Sequence, residues 1–262
     1  ALLTGLYSHQ AGIGHMMEDR GTDAYRGELN RRCRTIAEVL RTAGYRTYMC
    51  GKWHVTKKVK ADSDADRANW PLQRGFDRFY GFLDGETDQF HPELVYDNHP
   101  IHPPRTPDEG YHLTEDLVDK AIEFVHDSTS VRPDRPFFMY LAFGATHAPH
   151  HVAKQWIDKY KGKFDQGWDK LREEIYERQL KAGVIPPGTA LTSRPDPVPA
   201  WEEYPDRYKP VASRLMEVFA GFLAHTDAQI GRVLDAVDRL GLDDNTMVLF
   251  LTGDNGASAE GT

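Results

Sequence analysis

Three short polar clusters hold the residue types that acid–base and metal chemistry requires. In Gly51-Lys52-Trp53-His54, Lys52 and His54 are two positions apart. In an extended segment both therefore point to one face, where an ammonium can offset an anionic group while an imidazole moves a proton. The same residues also read as a solvated lysine, a core tryptophan and a histidine satisfied by a backbone carbonyl. In Thr146-His147-Ala148-Pro149-His150-His151, the first loop histidine after an apolar run, His147, is the better general-acid candidate. Its ordinary pKa of about 6.5 lets it hold a proton near neutrality. The three histidines match no common zinc spacing and have no cysteine nearby, so His150 and His151 read as structural or rim residues. Asp254-Asn255-Gly256 is either an Asn-Gly turn or a pair of oxygen ligands for a hard cation. Calcium takes roughly six to eight oxygens, so Asp254 and Asn255 would have to recruit carboxylates from elsewhere in the chain. Cys50 precedes Gly51 but ends an alternating strand, and reads as a small buried residue rather than a nucleophile.

The elements that must position these clusters follow from periodicity. Ile36, Val39, Leu40 and Ala43 recur at helical spacing before Gly44, and Arg46 to Cys50 then reads as a strand. Thr114 is expected to cap a helix carrying Leu117, Ala121, Ile122 and Val125. The run Phe137 to Phe143 that follows is continuous enough for a strand buried on both faces. A third unit pairs an amphipathic helix from about Ser213 to Leu240 with a strand Met247 to Leu251. Repeated helix–strand alternation predicts an α/β fold with a mainly parallel central sheet flanked by helices. In such sheets sites collect beyond the carboxyl ends of the strands, which is where all three clusters fall. Lys161 to Ala182 reads as a charged surface helix. The stretches 84–112 and 183–212, rich in Pro and aromatic residues around Asp88 to Pro107 and Ile185 to Pro210, are expected to be long loops lining a cleft.

Composition narrows the partners. The 262 residues carry a net charge of −8, with mean hydropathy −0.61 and an isoelectric point near 5.8. This fits a soluble chain of one or two domains and leaves no electrostatic footprint for nucleic acid. The longest apolar run is too short for a membrane span, and two cysteines, Cys33 and Cys50, cannot build a disulfide framework.

Taken together, Leu2-Leu3-Thr4-Gly5, Gly44 to His54, Thr146 to His150 and Thr252-Gly253-Asp254-Asn255-Gly256 resemble the formylglycine-dependent sulfatases. The similarity is strongest to the bacterial arylsulfatase-like branch of the alkaline phosphatase superfamily. It runs from Ala1 to Thr262, so the whole chain is expected to be sulfatase catalytic domain, and Gly44 to His54 matches the second sulfatase signature. Gly75 to Gly81 and Met216 to Val233 add support. The resemblance implies hydrolysis of a small-molecule or glycan sulfate ester to an alcohol or phenol plus sulfate, through a formylglycine nucleophile. It also implies that Asp254 and Asn255 are later ligands of one Ca2+ and that Lys52 contacts the sulfate group. His54 then corresponds to the histidine that hydrogen-bonds the formylglycine hydrate and acts as base when sulfate leaves, and His147 to the acid beside the leaving oxygen.

In the family, Leu-Leu-Thr-Gly follows a Cys-x-Pro-Ser/Thr-Arg motif, which places the modified cysteine six residues before Ala1. That cysteine, its arginine, two aspartate ligands and a second lysine are expected outside these 262 residues. The chain is accordingly expected to be an internal, truncated part of a longer sulfatase, inactive alone, whose full-length form requires a formylglycine-generating enzyme. Any leader would precede Ala1, leaving the bacterial periplasm and the cytoplasm both open. The alternatives are a phosphomonoester or phosphonate monoester hydrolase of the same superfamily, and a non-catalytic binding remnant.

Overall fold

A computed structural model describes residues 1–16, 18–57 and 67–253. The chain divides into two compact units, Ala1–His151 with Thr226–Thr262, and Val152–His225. The first unit is built on five strands, β1 (Arg46–Lys52), β2 (Arg78–Phe82), β3 (Leu94–Tyr96), β4 (His99–Ile101) and β5 (Phe137–Ala142), in the order β4-β3-β2-β1-β5. The central strand β1 pairs in parallel with β2 and with β5, while β3 and β4 extend the sheet antiparallel. The α/β class and the parallel centre agree with the sequence, and the antiparallel extension makes the sheet mixed. The helices are α1 (Ser8–Ala11), α2 (Ile36–Thr42), α3 (Leu113–Val131), α4 (Lys154–Asp158), α5 (Gly167–Lys181) and α6 (Lys209–Arg239). Among the described residues no helix is long and apolar enough to cross a membrane.

Alternation along β1 builds two cores. Met49 faces a cluster with Ala37, Trp53, Trp70, Phe76 and Phe79. Tyr48 and Cys50 face the opposite cluster with Tyr80, Phe82, Leu113, Leu117, Ala121 and Phe124, as the two-residue period of a strand requires. Helix α2 covers the first face and begins on a capping box: Thr35 Oγ1 accepts from the Glu38 amide at 3.1 Å, and the Glu38 carboxylate accepts from the Thr35 amide at 2.7 Å. Helix α3 covers the second face with Leu113, Leu117, Ala121 and Phe124, spaced at three and four residues. Its Asp116 carboxylate accepts from both buried phenols, Tyr80 at 2.6 Å and Tyr111 at 2.9 Å. Burial raises the Asp116 pKa above the usual carboxylate range despite those two bonds.

Arg74, 1% exposed, ties two loop segments to α2. Its guanidinium donates to the Leu29, Asn30 and Cys33 carbonyls and to Asn69 Oδ1, and it lies 3.5 Å from the Glu38 carboxylate. A buried arginine is tolerated because almost every polar face is met by an oxygen.

Several expectations need correction. His112, not Thr114, caps α3: its Nδ1 accepts from the Thr114 amide at 3.2 Å, which moves the helix start to Leu113. Strand β5 is half-buried along its whole length because, among the described residues, it is paired only to β1. Helix α5 begins at Gly167, with turns before it, and α6 begins at Lys209. The stretch 84–112 is not all loop, since it contains β3 and β4. Met247 to Leu251 forms no strand: these five residues are between 57% and 83% exposed and sit on no ladder. An apolar run becomes a strand only where a neighbour takes up its amides and carbonyls, and this run has no such neighbour among the described residues.

In the second unit Trp168 on α5 clusters with Trp201 and Tyr204, their ring centroids 4.7 to 6.1 Å apart. The Glu217 carboxylate on α6 accepts from the Gly162 amide at 2.7 Å.

Candidate active site

Because β1 lies between β2 and β5 and runs parallel to both, the loops leaving all three strands emerge at one edge of the sheet. Lys52 is the last residue of β1. The chain then continues the ladder briefly, with the Trp53 amide on the Phe82 carbonyl at 3.0 Å and the His54 amide on the Leu83 carbonyl at 3.1 Å. Trp53 is anchored in the core, donating through Nε1 to the Asn69 carbonyl at 2.7 Å and meeting Phe76 edge-on. Lys52 and His54 are thus fixed on either side of a buried ring.

Two backbone features set this edge. His54 has φ +53°, a left-handed conformation that costs a non-glycine residue about 1–2 kcal/mol and marks a position held by its surroundings. Across from it, a Cβ on Gly85 would lie 2.7 Å from His54 Nε2, so a larger residue there would displace the imidazole.

That loop brings residues the sequence reading missed. Asp84 and Glu86 follow β2, whose Phe79-Tyr80-Gly81-Phe82 pattern is interrupted by a glycine and does not read as a strand. From β5, the loop turns at Gly144, where the His147 amide donates to the Gly144 carbonyl at 3.0 Å. His147 Nδ1 lies 2.8 Å from the Ala148 carbonyl, an oxygen that only accepts, so Nδ1 carries the proton of the neutral ring and Nε2 is where a second proton enters. The Glu86 carboxylate stands 3.7 Å from the same Nδ1, beyond hydrogen-bond reach but close enough to favour a positive charge on the ring.

Electrostatics separate the two histidines. Burial, then the nearby Lys52 ammonium, and the His147 ring push His54 down to about 4, against the opposing pull of Asp84. His54 is therefore neutral at pH 7 and able to accept a proton, between one cation and one acid. The linkage sign follows. The unfolded histidine titrates near 6.5 and the folded one near 4, so the unfolded state binds more protons in between, and stability is lost as pH falls through that window. Comparing urea midpoints at pH 7 and pH 4.5, His54→Gln should lose less stability on acidification than the parent. Equal losses would show that His54 is not the group responsible.

The other candidates are placed less centrally. His151 is structural: its ring stacks on Phe90 at 5.6 Å, lies 3.4 Å from the Asp88 carboxylate, and its carbonyl is 3.0 Å from His112 Nε2. Cys50 is fully buried and burial pushes its thiol pKa up, as expected for an inert core residue. Asp254 and Asn255 lie outside the described residues. Among the described residues no group of three or more His, Cys, Asp or Glu could hold a metal ion.

Comparisons with known proteins identify the family. The Sulfatase family model matches residues 1–262. The arylsulfatase of Klebsiella aerogenes is 31% identical over 98% of this chain and 55% of its own length. An uncharacterized sulfatase of Schizosaccharomyces pombe is 33% identical over 98% of this chain and 48% of its own. The chain thus spans about half the length of these curated relatives. Among solved structures, Ps i-CgsB in complex with k-i-k-neocarrahexaose superposes with a TM-score of 0.59 at 20% identity, covering 94% of this chain and 44% of that one. BT4656 in complex with its substrate D-glucosamine-2-N,6-O-disulfate gives 0.53 at 20%, covering 92% and 51%. With a parallel strand edge that presents Lys52, His54 and His147, and a family match over its whole length, the chain belongs to the sulfatase family of the alkaline phosphatase superfamily.

Proposed function

We propose that the full-length gene product hydrolyses a sulfate monoester, and that Lys52, His54 and His147 are this chain's share of the catalytic machinery. The observation that carries the reading is the placing of one ammonium, one neutral imidazole and one imidazole held by a backbone carbonyl at the carboxyl ends of β1 and β5. Lys52 offsets negative charge as the S–O bond lengthens, the electrostatic service that a fixed cation supplies in a partly desolvated site. His54, neutral at pH 7, accepts a proton. His147 delivers a proton through Nε2 to the departing oxygen, its ring held by the Ala148 carbonyl and faced by Glu86.

A formylglycine would supply the nucleophile and a Ca2+ would polarise the ester. Asp254 and Asn255 are the residues of this chain proposed to hold that metal, and their oxygen donors suit a hard cation. The stretch 84–112 is proposed to line the substrate cleft, for an aryl or glycan sulfate ester.

The test is expression of the full-length gene product with a formylglycine-generating enzyme, followed by assay on matched aryl sulfate and aryl phosphate. Turnover of the sulfate should dominate and fall sharply in Lys52→Ala. Faster turnover of the phosphate would overturn the reading in favour of phosphomonoester hydrolysis.

A further inference from the structure

At the opposite edge of the same sheet, where β1 and β2 begin, Arg46, Tyr48, Asp77, Arg78, Phe124, Asp127 and Arg135 line a cavity of about 250 Å³. Two of these charges are already matched. Arg78 Nε donates to both Asp97 carboxylate oxygens at 3.2 and 3.3 Å, and its guanidinium lies 4.9 and 5.0 Å from the Tyr96 and Phe124 rings. Asp77 accepts from the Thr47 amide at 3.1 Å and stands 3.8 Å from Arg41. Arg135 uses only its Nε, on the Gly44 carbonyl at 2.7 Å.

Arg46 differs from its neighbours. Its backbone is fixed by the β1 ladder and by the Pro136 carbonyl at 2.9 Å, but its side chain forms no hydrogen bond or ion pair among the described residues, and its Nε is buried with no partner. A buried guanidinium N–H without an acceptor is costly. Once the Arg78–Asp97 and Arg41–Asp77 pairs are set aside, Arg46 and Arg135 face Asp127 alone, which leaves one positive charge. A planar fork of N–H donors matches a carboxylate in bidentate fashion. The Tyr48 and Phe124 rings, 5.5 Å apart, wall the cavity with apolar surface.

We infer that this cavity binds a small organic carboxylate, seated on Arg46 with its apolar part against Tyr48 and Phe124. A single uncompensated charge favours a monoanion over a dianion such as sulfate. The site is therefore distinct in chemistry, as well as in position, from the Lys52 and His54 edge.

The experiment is calorimetric titration of the full-length protein with benzoate at fixed ionic strength, alongside inorganic sulfate. One saturable benzoate site is expected, weakened at least tenfold in Arg46→Gln and unchanged in Lys52→Ala. The exposed Asp127→Asn, which removes the opposing charge without touching the core, should tighten benzoate several-fold and keeps the test informative if Arg46→Gln fails to fold. Absence of saturable benzoate binding would overturn the inference. So would loss of binding in Lys52→Ala, indifference to both the Arg46 and Asp127 changes, or sulfate binding more tightly than benzoate at the Arg46-dependent site.

Discussion

Gly51→Ala is expected to abolish the native fold, with a loss larger than about 4 kcal/mol, in the range reserved for severe steric or packing defects. A Cβ on Gly51 would fall 1.8 Å from the Ala142 carbonyl oxygen and 2.7 Å from its carbon, both backbone atoms of β5 that no side-chain rotation can move. The residue also has φ +115°, which L side chains rarely adopt. Relief would require β1 and β5 to part at Cys50↔Leu141 and Gly51↔Ala142, the last rungs before Lys52 and the loop leading to His147. Gly44→Ala is the control. Gly44 has φ +89° but nothing within 4 Å of the added carbon, so only the conformational cost of about 1–2 kcal/mol applies. Urea unfolding of both variants separates the two effects. A Gly51→Ala midpoint equal to that of Gly44→Ala would mean the strand contact is not rigid.

The fold was legible in the sequence wherever local pattern and tertiary partner agree. Ile36 to Ala43, Arg46 to Cys50 and Phe137 to Phe143 all announce themselves through period or continuous apolarity, and each acquires a neighbour that uses it. The positions of Lys52, His54 and His147 were legible for the same reason, because the pattern locates where β1 and β5 end. What was missed depends on long-range partners. β2 was hidden because Gly81 interrupts its apolar run, although the close passage of Gly81 against the Gly51 backbone is what that glycine permits. With β2 unseen, Asp84, Gly85 and Glu86 had no reason to lie beside His54 and His147. Arg74 is invisible to any hydropathy pattern, because a charged residue becomes a core residue only when carbonyls distant in sequence converge on it. Met247 to Leu251 is the converse, a correct local signal without a ladder.

His147→Ala in the full-length, formylglycine-bearing protein should lower turnover of esters with poor leaving groups by roughly 10² to 10⁴-fold, the contribution of a positioned general acid. The geometry makes the effect selective. With Nδ1–H engaged by the Ala148 carbonyl, the ring can transfer a proton only through Nε2, and that transfer matters in proportion to the basicity of the oxygen that leaves. A nitrophenolate departs with little need of a proton, whereas an aliphatic alkoxide departs hardly at all without one. Across a series of aryl and alkyl sulfates the variant should therefore show a much steeper fall of rate with leaving-group basicity than the parent. Lys52→Ala removes a fixed charge rather than a proton donor, so its loss should be spread more evenly over the same series. If His147→Ala instead lowers good and poor leaving groups by the same factor, the ring positions the substrate and protonates nothing.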